Sequence, residues 1–358
     1  LEHDIVFSDA SAYNVQFDGA NPMFIDLLSL RRYREGEYWI GYGQFCEQFL
    51  NPLLLRVYLG LPHNAWFRGS FEGIPAGELA CMLPVRARFS WRVLIHVIGL
   101  ARMQASALSN RENVIKVEKR MTSRGLSRLG YTGLLQQLRN WIEKLDPLDV
   151  GKTVWGEYEQ THTYDEEEMR AKQGFVRDFV ERTGVKCVAD FGCNTGAFSE
   201  LACRAGAERV IVFEYDRVAL EKAYQRAVTG NLKFTPLYLD AANPSPSQGW
   251  RQSERLGLEQ RGTFDAILAL AFEHHLAIGR NIPLPDVVKW LVDRAPRGVI
   301  EFVQKDDPTV KQMLTLREDI FDAYSQDVFE QALANHARIE KAQKISREGR
   351  MLYWYERD

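Results

Sequence analysis

Residues 185–196 read VKCVADFGCNTG. An apolar run ends at Asp190-Phe191, a glycine-containing turn follows, and a helix is expected over 195–205. Strand, tight turn and helix in immediate succession mark the first β–α unit of an open α/β sheet. In such sheets ligands settle outside the carboxyl ends of the strands, at the switch point. Gly192 and Gly196 allow backbone to approach a ligand and a helix to pack closely on a strand. Asn194 stands where a third glycine is usual. Asparagine tolerates a positive φ better than most residues, so the turn survives the change.

Outward from this unit, strands and helices alternate. Strands are predicted over 185–191, 209–214, 232–239, 264–270 and 298–303, and helices over 195–205, 217–228, 284–294 and near 329–334. Two further strands, 337–345 and 350–356, are joined by a turn at Glu348-Gly349. The pattern predicts an α/β fold: a doubly wound, mostly parallel, seven-stranded Rossmann-like sheet closed by an antiparallel hairpin. Upstream, Thr163 and the acids Asp165, Glu166, Glu167 and Glu168 read as the start of a helix, suited to its free amides and positive dipole end. Phe175, Val176, Phe179 and Val180 give that helix its apolar stripe.

The N-terminal part reads differently. Asn14–Phe17 and Met23–Asp26 flank Asp18-Gly19-Ala20-Asn21, a hairpin signal. An aromatic amphipathic stretch over 45–58 is interrupted at Pro52, and the apolar run over 89–100 reads as a buried helix. The two patterns divide the chain at about 150, into a mixed α+β accessory domain over 1–150, expected to recognise an acceptor, and a ligand-binding domain over 151–358.

Charge and composition narrow the classes. The 358 residues carry a formal charge of -3, which by itself points to neither nucleic acid nor membrane. Residues 101–140 are locally basic, with Arg102, Arg111, Lys116, Lys119, Arg120, Arg124, Arg128 and Arg139 against Glu112 and Glu118. That stretch is read as a solvated helical face or as an attractor of an anionic acceptor, which keeps RNA open. The five cysteines include no CxxC pair, so a reduced, cytoplasmic protein without structural zinc is expected. No apolar run is long enough to span a bilayer, and no secretory signal is visible. The first residue is Leu1, which leaves an upstream segment open.

Two more acids sharpen the ligand. Glu214 ends the second strand of the alternating region, where it would accept hydrogen bonds from both hydroxyls of a ribose. Asp240 follows the third, within reach of an adenine amino group. A dinucleotide site needs donors for its pyrophosphate. Here Asp190 sits beside the turn, where a carboxylate repels phosphate and attracts an ammonium. The preferred ligand is therefore a nucleoside carrying an amino acid rather than a phosphate, which is S-adenosylmethionine.

With these residues in place, 155–358 resembles the class I S-adenosylmethionine-dependent methyltransferase family. VADFGCNTGAFSELACRAGAERVIVFEYD resembles its first two motifs, LYLDAANP the third and FDAILALAFEHHL the fourth. Position by position, the resemblance implies that Asp190, Gly192, Cys193, Asn194 and Gly196 line the methionine part. It implies that Glu214 holds the ribose, that Asp240 and Ala241 flank the adenine, and that Leu270, Ala271 and Phe272 face the cofactor. Including NVQFDG, PMFIDLLSL and EFVQKDDP, the whole chain is similar to the group of the rhizobial host-specific nodulation protein. That similarity implies a small-molecule or glycan acceptor; the sequence leaves oxygen, nitrogen or carbon open as the methylated atom, and a hydroxyl or amine is the expectation.

Catalytic candidates follow the fourth strand. Glu273, His274 and His275 lie at the mouth of the expected site, and a neutral histidine accepts a proton near neutral pH. Adjacent histidines point in different directions, so one of them packs. Their adjacency also makes a poor chelate, and no metal is expected. Glu301 is a second candidate base or a buried, paired carboxylate. Tyr158 and Tyr164 precede the first strand as a lid over the cofactor or as helix packing. Finally, Asp9, Asn14 and Asp26 resemble the catalytic loop and metal aspartate of aminoglycoside-kinase-like phosphotransferases. That chemistry also needs a lysine and a glycine loop, which have no counterpart here, and a chance match is the alternative to a kinase-like module.

Overall fold

The computed structural model describes residues 2–109, 125–148, 164–261, 264–315 and 317–357. The chain divides into two compact units. One comprises Leu1–Gln16 with Pro22–Gly151, and the other Phe17–Asn21 with Lys152–Asp358.

The chain begins with short strands, β1 (Ile5–Phe7), β2 (Val15–Asp18), β3 (Asn21–Phe24) and β4 (Leu30–Arg32), paired β1 with β4 and β2 with β3; of these, the hairpin residues Phe17–Asn21 count with the second unit and the rest with the first. The hairpin β2–β3 turns on Gly19, at φ 61, and Ala20. Helices follow. The expected break at Pro52 does not occur: a π-turn over Cys46–Leu50 runs directly into the helix Asn51–Leu59. The Asn51 amide bonds back to the Cys46 carbonyl, one residue beyond the α-helical partner. This wider turn accommodates a proline, which has no amide and would crowd the carbonyl four residues back. The 89–100 run also departs from expectation. Val93, His96, Val97 and Leu100 are buried, but Phe89, Trp91, Leu94 and Ile95 are exposed, so only one face of this helix is covered.

In the second unit seven strands form one sheet: β5 (Cys187–Phe191), β6 (Arg209–Glu214), β7 (Phe234–Tyr238), β8 (Ala266–Ala269), β9 (Arg297–Phe302), β10 (Arg338–Lys344) and β11 (Met351–Glu356). Their spatial order is β10-β11-β9-β8-β5-β6-β7. All neighbours from β9 to β7 pair in parallel, and β11 runs antiparallel to both β9 and β10. The central strands are buried on both faces, as a parallel sheet covered by helices requires. Alternate residues serve two cores: Val188, Val210, Leu268 and Val299 one, and Ala189, Ile267, Ala269 and Ile300 the other. The edge strand β10 alternates exposed and partly buried positions.

The helix Glu166–Thr183 leads into β5. Its cap is Asp165, whose carboxylate accepts the Glu167 and Glu168 amides while the Glu168 side chain returns to the Asp165 amide. Thr163, the expected cap, lies outside the described residues. Left-handed Gly184 ends the helix and turns the chain into the sheet. Two short helices were not legible in the sequence, Glu273–Ala277 after β8 and Pro308–Leu314 after β9. Both stand at the carboxyl edge of the sheet, where they build the site.

Candidate functional site

The reversal of strand order between β5 and β8 opens a crevice at their carboxyl ends. A cavity of about 630 Å³ occupies it. Asp190, Gly192, Cys193, Asn194, Glu214, Asp240, Ala241, Leu270 and Phe272 line it, as do Tyr164, His274 and His275. Two expected residues are absent from its wall. Gly196 packs inward, where a Cβ would lie 3.2 Å from the Phe234 ring and 3.4 Å from the Ala223 Cβ, so it fits helix to sheet instead of touching a ligand. Glu273 is fully buried, with Oε1 accepting from the Val303 amide at 2.8 Å and the Tyr324 hydroxyl at 3.0 Å. Its role is to anchor the helix to β9, and the expectation of a catalytic Glu273 is withdrawn.

The turn after β5 has the geometry its residues predict. Gly192 has φ 72, Asn194 φ 51 and Gly196 φ 80. Asn194 tolerates this because its side chain accepts the Thr195 amide at 2.7 Å. A Cβ on Gly192 would lie 2.7 Å from the Phe272 ring, so only glycine fits beneath that aromatic. Ala271, beside it, is held at φ 51, a left-handed strain of the kind that collects at functional sites.

Three carboxylates ring the cavity. Asp190 is buried, and its Oδ2 accepts from the Ser199 hydroxyl at 2.5 Å. Burial and the nearby Glu214 push its carboxyl up to about 7, against the opposing pull of Ser199 and Lys172. Glu214 is fixed by three backbone amides, those of Asn194, Tyr215 and Asp216, each at 2.8 Å. A carboxylate offers about four acceptor positions, so roughly one remains for a ribose hydroxyl rather than the expected two. Asp240 accepts the Ala242 amide at 3.2 Å and the Arg280 guanidinium at 3.2 Å.

Beyond Asp190 lies a buried ionic network, of which only Glu301 as a paired carboxylate was expected. Lys172 forms an ion pair with Glu301 at 2.7 Å and donates to the Tyr164 hydroxyl at 3.0 Å. Tyr164 in turn donates to Glu301 and accepts from Arg350 at 2.5 Å. Arg350 grips Asp307 with two bonds, 2.7 and 3.1 Å. Burial pushes the Glu301 carboxyl up, but Lys172 and Arg350 outweigh it and hold it below its usual value. Glu301 is thus the paired carboxylate of the two readings, and Tyr164 is a fixed wall rather than a hinged lid. Tyr158 lies outside the described residues. Removing one partner of such a network strands the others. Arg350→Met should therefore cost about 3–5 kcal/mol of stability in urea unfolding, and a loss under about 1 kcal/mol would show that water replaces the guanidinium.

The two histidines separate. His274 is buried beside Glu273, with 3.7 Å between Nδ1 and Oε2. His275 is partly accessible, and its ring stands 4.2 Å from that of His274. Burial, His274 and Arg350 push the His275 imidazole well below its ordinary range, so it is neutral.

In the first unit, Asn14 approaches Asp26 at 3.4 Å. Asp26, however, caps the Leu28 amide and accepts from Ser29, while Asp9 accepts the Ser11 amide. Among the described residues no cluster of three metal-ligating side chains exists. Of the basic stretch, Arg128 pairs with Asp4 at 2.7 Å and Arg139 with Glu143 at 2.8 Å, whereas Arg111, Lys116, Lys119, Arg120 and Arg124 lie outside the described residues. Among the described residues no helix is long and apolar enough to cross a membrane.

The donor set suits S-adenosylmethionine: carboxylates at three neighbouring strand ends and a glycine floor closed by an aromatic. A parallel sheet in this strand order, with β11 alone reversed and such a cavity at its switch point, is the fold of the class I S-adenosylmethionine-dependent methyltransferases. Over all its 358 residues it is 45% identical to nodulation protein NoeA of Rhizobium meliloti strain 1021, spanning 74% of that protein, and it belongs to the NoeA family. No family model matches the chain. Among solved structures, magnesium protoporphyrin IX methyltransferase of Synechocystis PCC 6803, with S-adenosylhomocysteine bound, aligns at TM-score 0.40 and 17% identity, over 53% of this chain and 84% of that one. N-methyltransferase NodS of Bradyrhizobium japonicum WM9 aligns at TM-score 0.39 and 15% identity, over 54% and 98%.

Proposed function

We propose that the enzyme methylates a hydroxyl or amine of a small-molecule or glycan acceptor, with His275 receiving the proton. The cofactor, when bound, supplies a methyl group on a positively charged sulfur, already activated for in-line displacement. Asp190 holds the methionine ammonium, Lys172 beside it faces the carboxylate, Glu214 takes a ribose hydroxyl, and Phe272 with Leu270 covers the apolar middle. These residues orient the reactants and exclude water, which is most of what methyl transfer needs from a protein.

The observation that carries the acceptor class is a neutral imidazole on the cavity wall, on the turn that follows β8. A proton acceptor is useful only if the attacking atom has a proton to lose, as a hydroxyl or amine does. The attacking atom turns strongly acidic only as its bond to carbon forms, so even a weakly basic histidine suffices. Profiling of small metabolites and glycans from a deletion strain tests this. A species lighter by one CH₂, with its free O–H or N–H restored, is expected. A missing methyl on carbon, or on RNA alone, would overturn the reading.

A further inference from the structure

Arg280 lies where the notion of Asp240 as a simple adenine acceptor breaks down. The short helix Glu273–Ala277 ends in a tight turn in which the Arg280 and Ile282 amides both bond to the Leu276 carbonyl, at 3.1 and 3.2 Å. Arg317 braces the same turn through the Ile278 carbonyl and the Asn281 side chain. From this rigid turn the Arg280 guanidinium reaches Asp240 Oδ2 at 3.2 Å and lies over the Tyr215 ring, 5.5 Å from its centroid. Arg280, Tyr215 and Asp240 all line the cavity, at the end marked by Glu214. Asp240 therefore gives one oxygen to the Ala242 amide and the other to Arg280.

We infer that Arg280 is the specificity-determining clamp on the nucleoside end of the cofactor, aimed by Asp240 and Tyr215, so that the flat guanidinium packs on the base. This rests on the assignment of the cavity to S-adenosylmethionine. The side chains of Arg280 and Asp240 are 45% and 21% exposed. An ion pair that open holds by under about 1 kcal/mol, so the guanidinium settles on a base at little cost. Arginine suits the task because its delocalised plane stacks on rings, which the ammonium of lysine does not. The same segment thus carries the proposed proton acceptor, His275, and the base clamp.

The test is titration calorimetry of the full chain with S-adenosylhomocysteine and with methylthioadenosine, which keeps the nucleoside but lacks the amino acid. Arg280→Ala should weaken both ligands by the same factor, about tenfold, consistent with a partly exposed cation–π contact. Arg280→Lys should recover little of the loss, because it restores charge without the plane. If wild-type protein binds S-adenosylhomocysteine while Arg280→Ala binds it equally or more tightly, the clamp is wrong and the arginine merely occupies Asp240. Full recovery by lysine would also overturn it. If wild type binds neither ligand, the cofactor assignment itself fails, and the clamp with it.

Discussion

Asp190→Asn is expected to weaken S-adenosylmethionine binding steeply while making the cofactor-free protein more stable at mildly alkaline pH. Removing one member of a buried charge pair costs about 2–5 kcal/mol, so affinity should fall by about 30-fold to several thousandfold. The stability gain follows from linkage. Burial, foremost, raises the folded-state carboxyl to about 7 from its usual 3.8. A group whose pKa is raised by folding contributes stability below its unfolded value and loses that contribution as pH rises through the folded value. Above about pH 7 the folded chain therefore carries a charge it would rather shed, at a cost of up to about 4 kcal/mol at 1.36 per unit. Asparagine has no such charge and still offers an acceptor to Ser199. In wild type the same titration should weaken cofactor binding about tenfold for each unit below about pH 7, and in Asp190→Asn this slope should vanish. Calorimetry across that range, paired with urea unfolding, reads both effects. Unchanged affinity in the variant, or a flat pH response in wild type, would mean that the carboxylate does not meet the ammonium.

His275→Ala should lower kcat by about 10²–10³, the usual worth of a positioned proton acceptor, and leave S-adenosylhomocysteine affinity within about twofold. The pH profile adds a signature that packing alone does not produce. His275 stays neutral well below its ordinary value of 6.5, so at saturating cofactor the acid limb of kcat should lie below that value. At limiting cofactor the limb should rise toward about 7, because Asp190 then governs binding. Normal turnover of the variant would remove His275 from the chemistry. A limb that stayed at 6.5 would assign the proton to a different group.

Much of the fold was legible because a buried parallel sheet constrains every strand it contains. The runs that became β5, β6, β8 and β9 had to be apolar on both faces, and the glycines of the turn had to allow positive φ. The same logic located Asp190, Glu214 and Asp240, since acids at strand ends meet whatever binds at the switch point. Lys172 left a signal that went unread. It stands three and four residues before Phe175 and Val176 and three after Met169, inside the apolar stripe of its helix, and a lysine there is buried. Arg350 and Asp307 left none, because a charge within a run of charged residues, as in KDDP and REGR, reads as solvated. Pro52 misled because local rules end a helix at proline, whereas the π-turn before it removes the conflict.

Periodicity and turn chemistry are local properties, so the sequence by itself determined the alternating architecture, the nucleoside-sized turn and the acids that answer a sulfonium amino acid. Which side chains meet across the chain is not local. Tyr164 and Arg350 touch although 186 positions separate them, Glu273 turns from the cavity toward Val303, and Arg280 takes the oxygen that Asp240 was expected to reserve for the base. Tertiary structure decided these contacts, because a buried charge must find a partner and only the packed sheet fixes which partners are within reach.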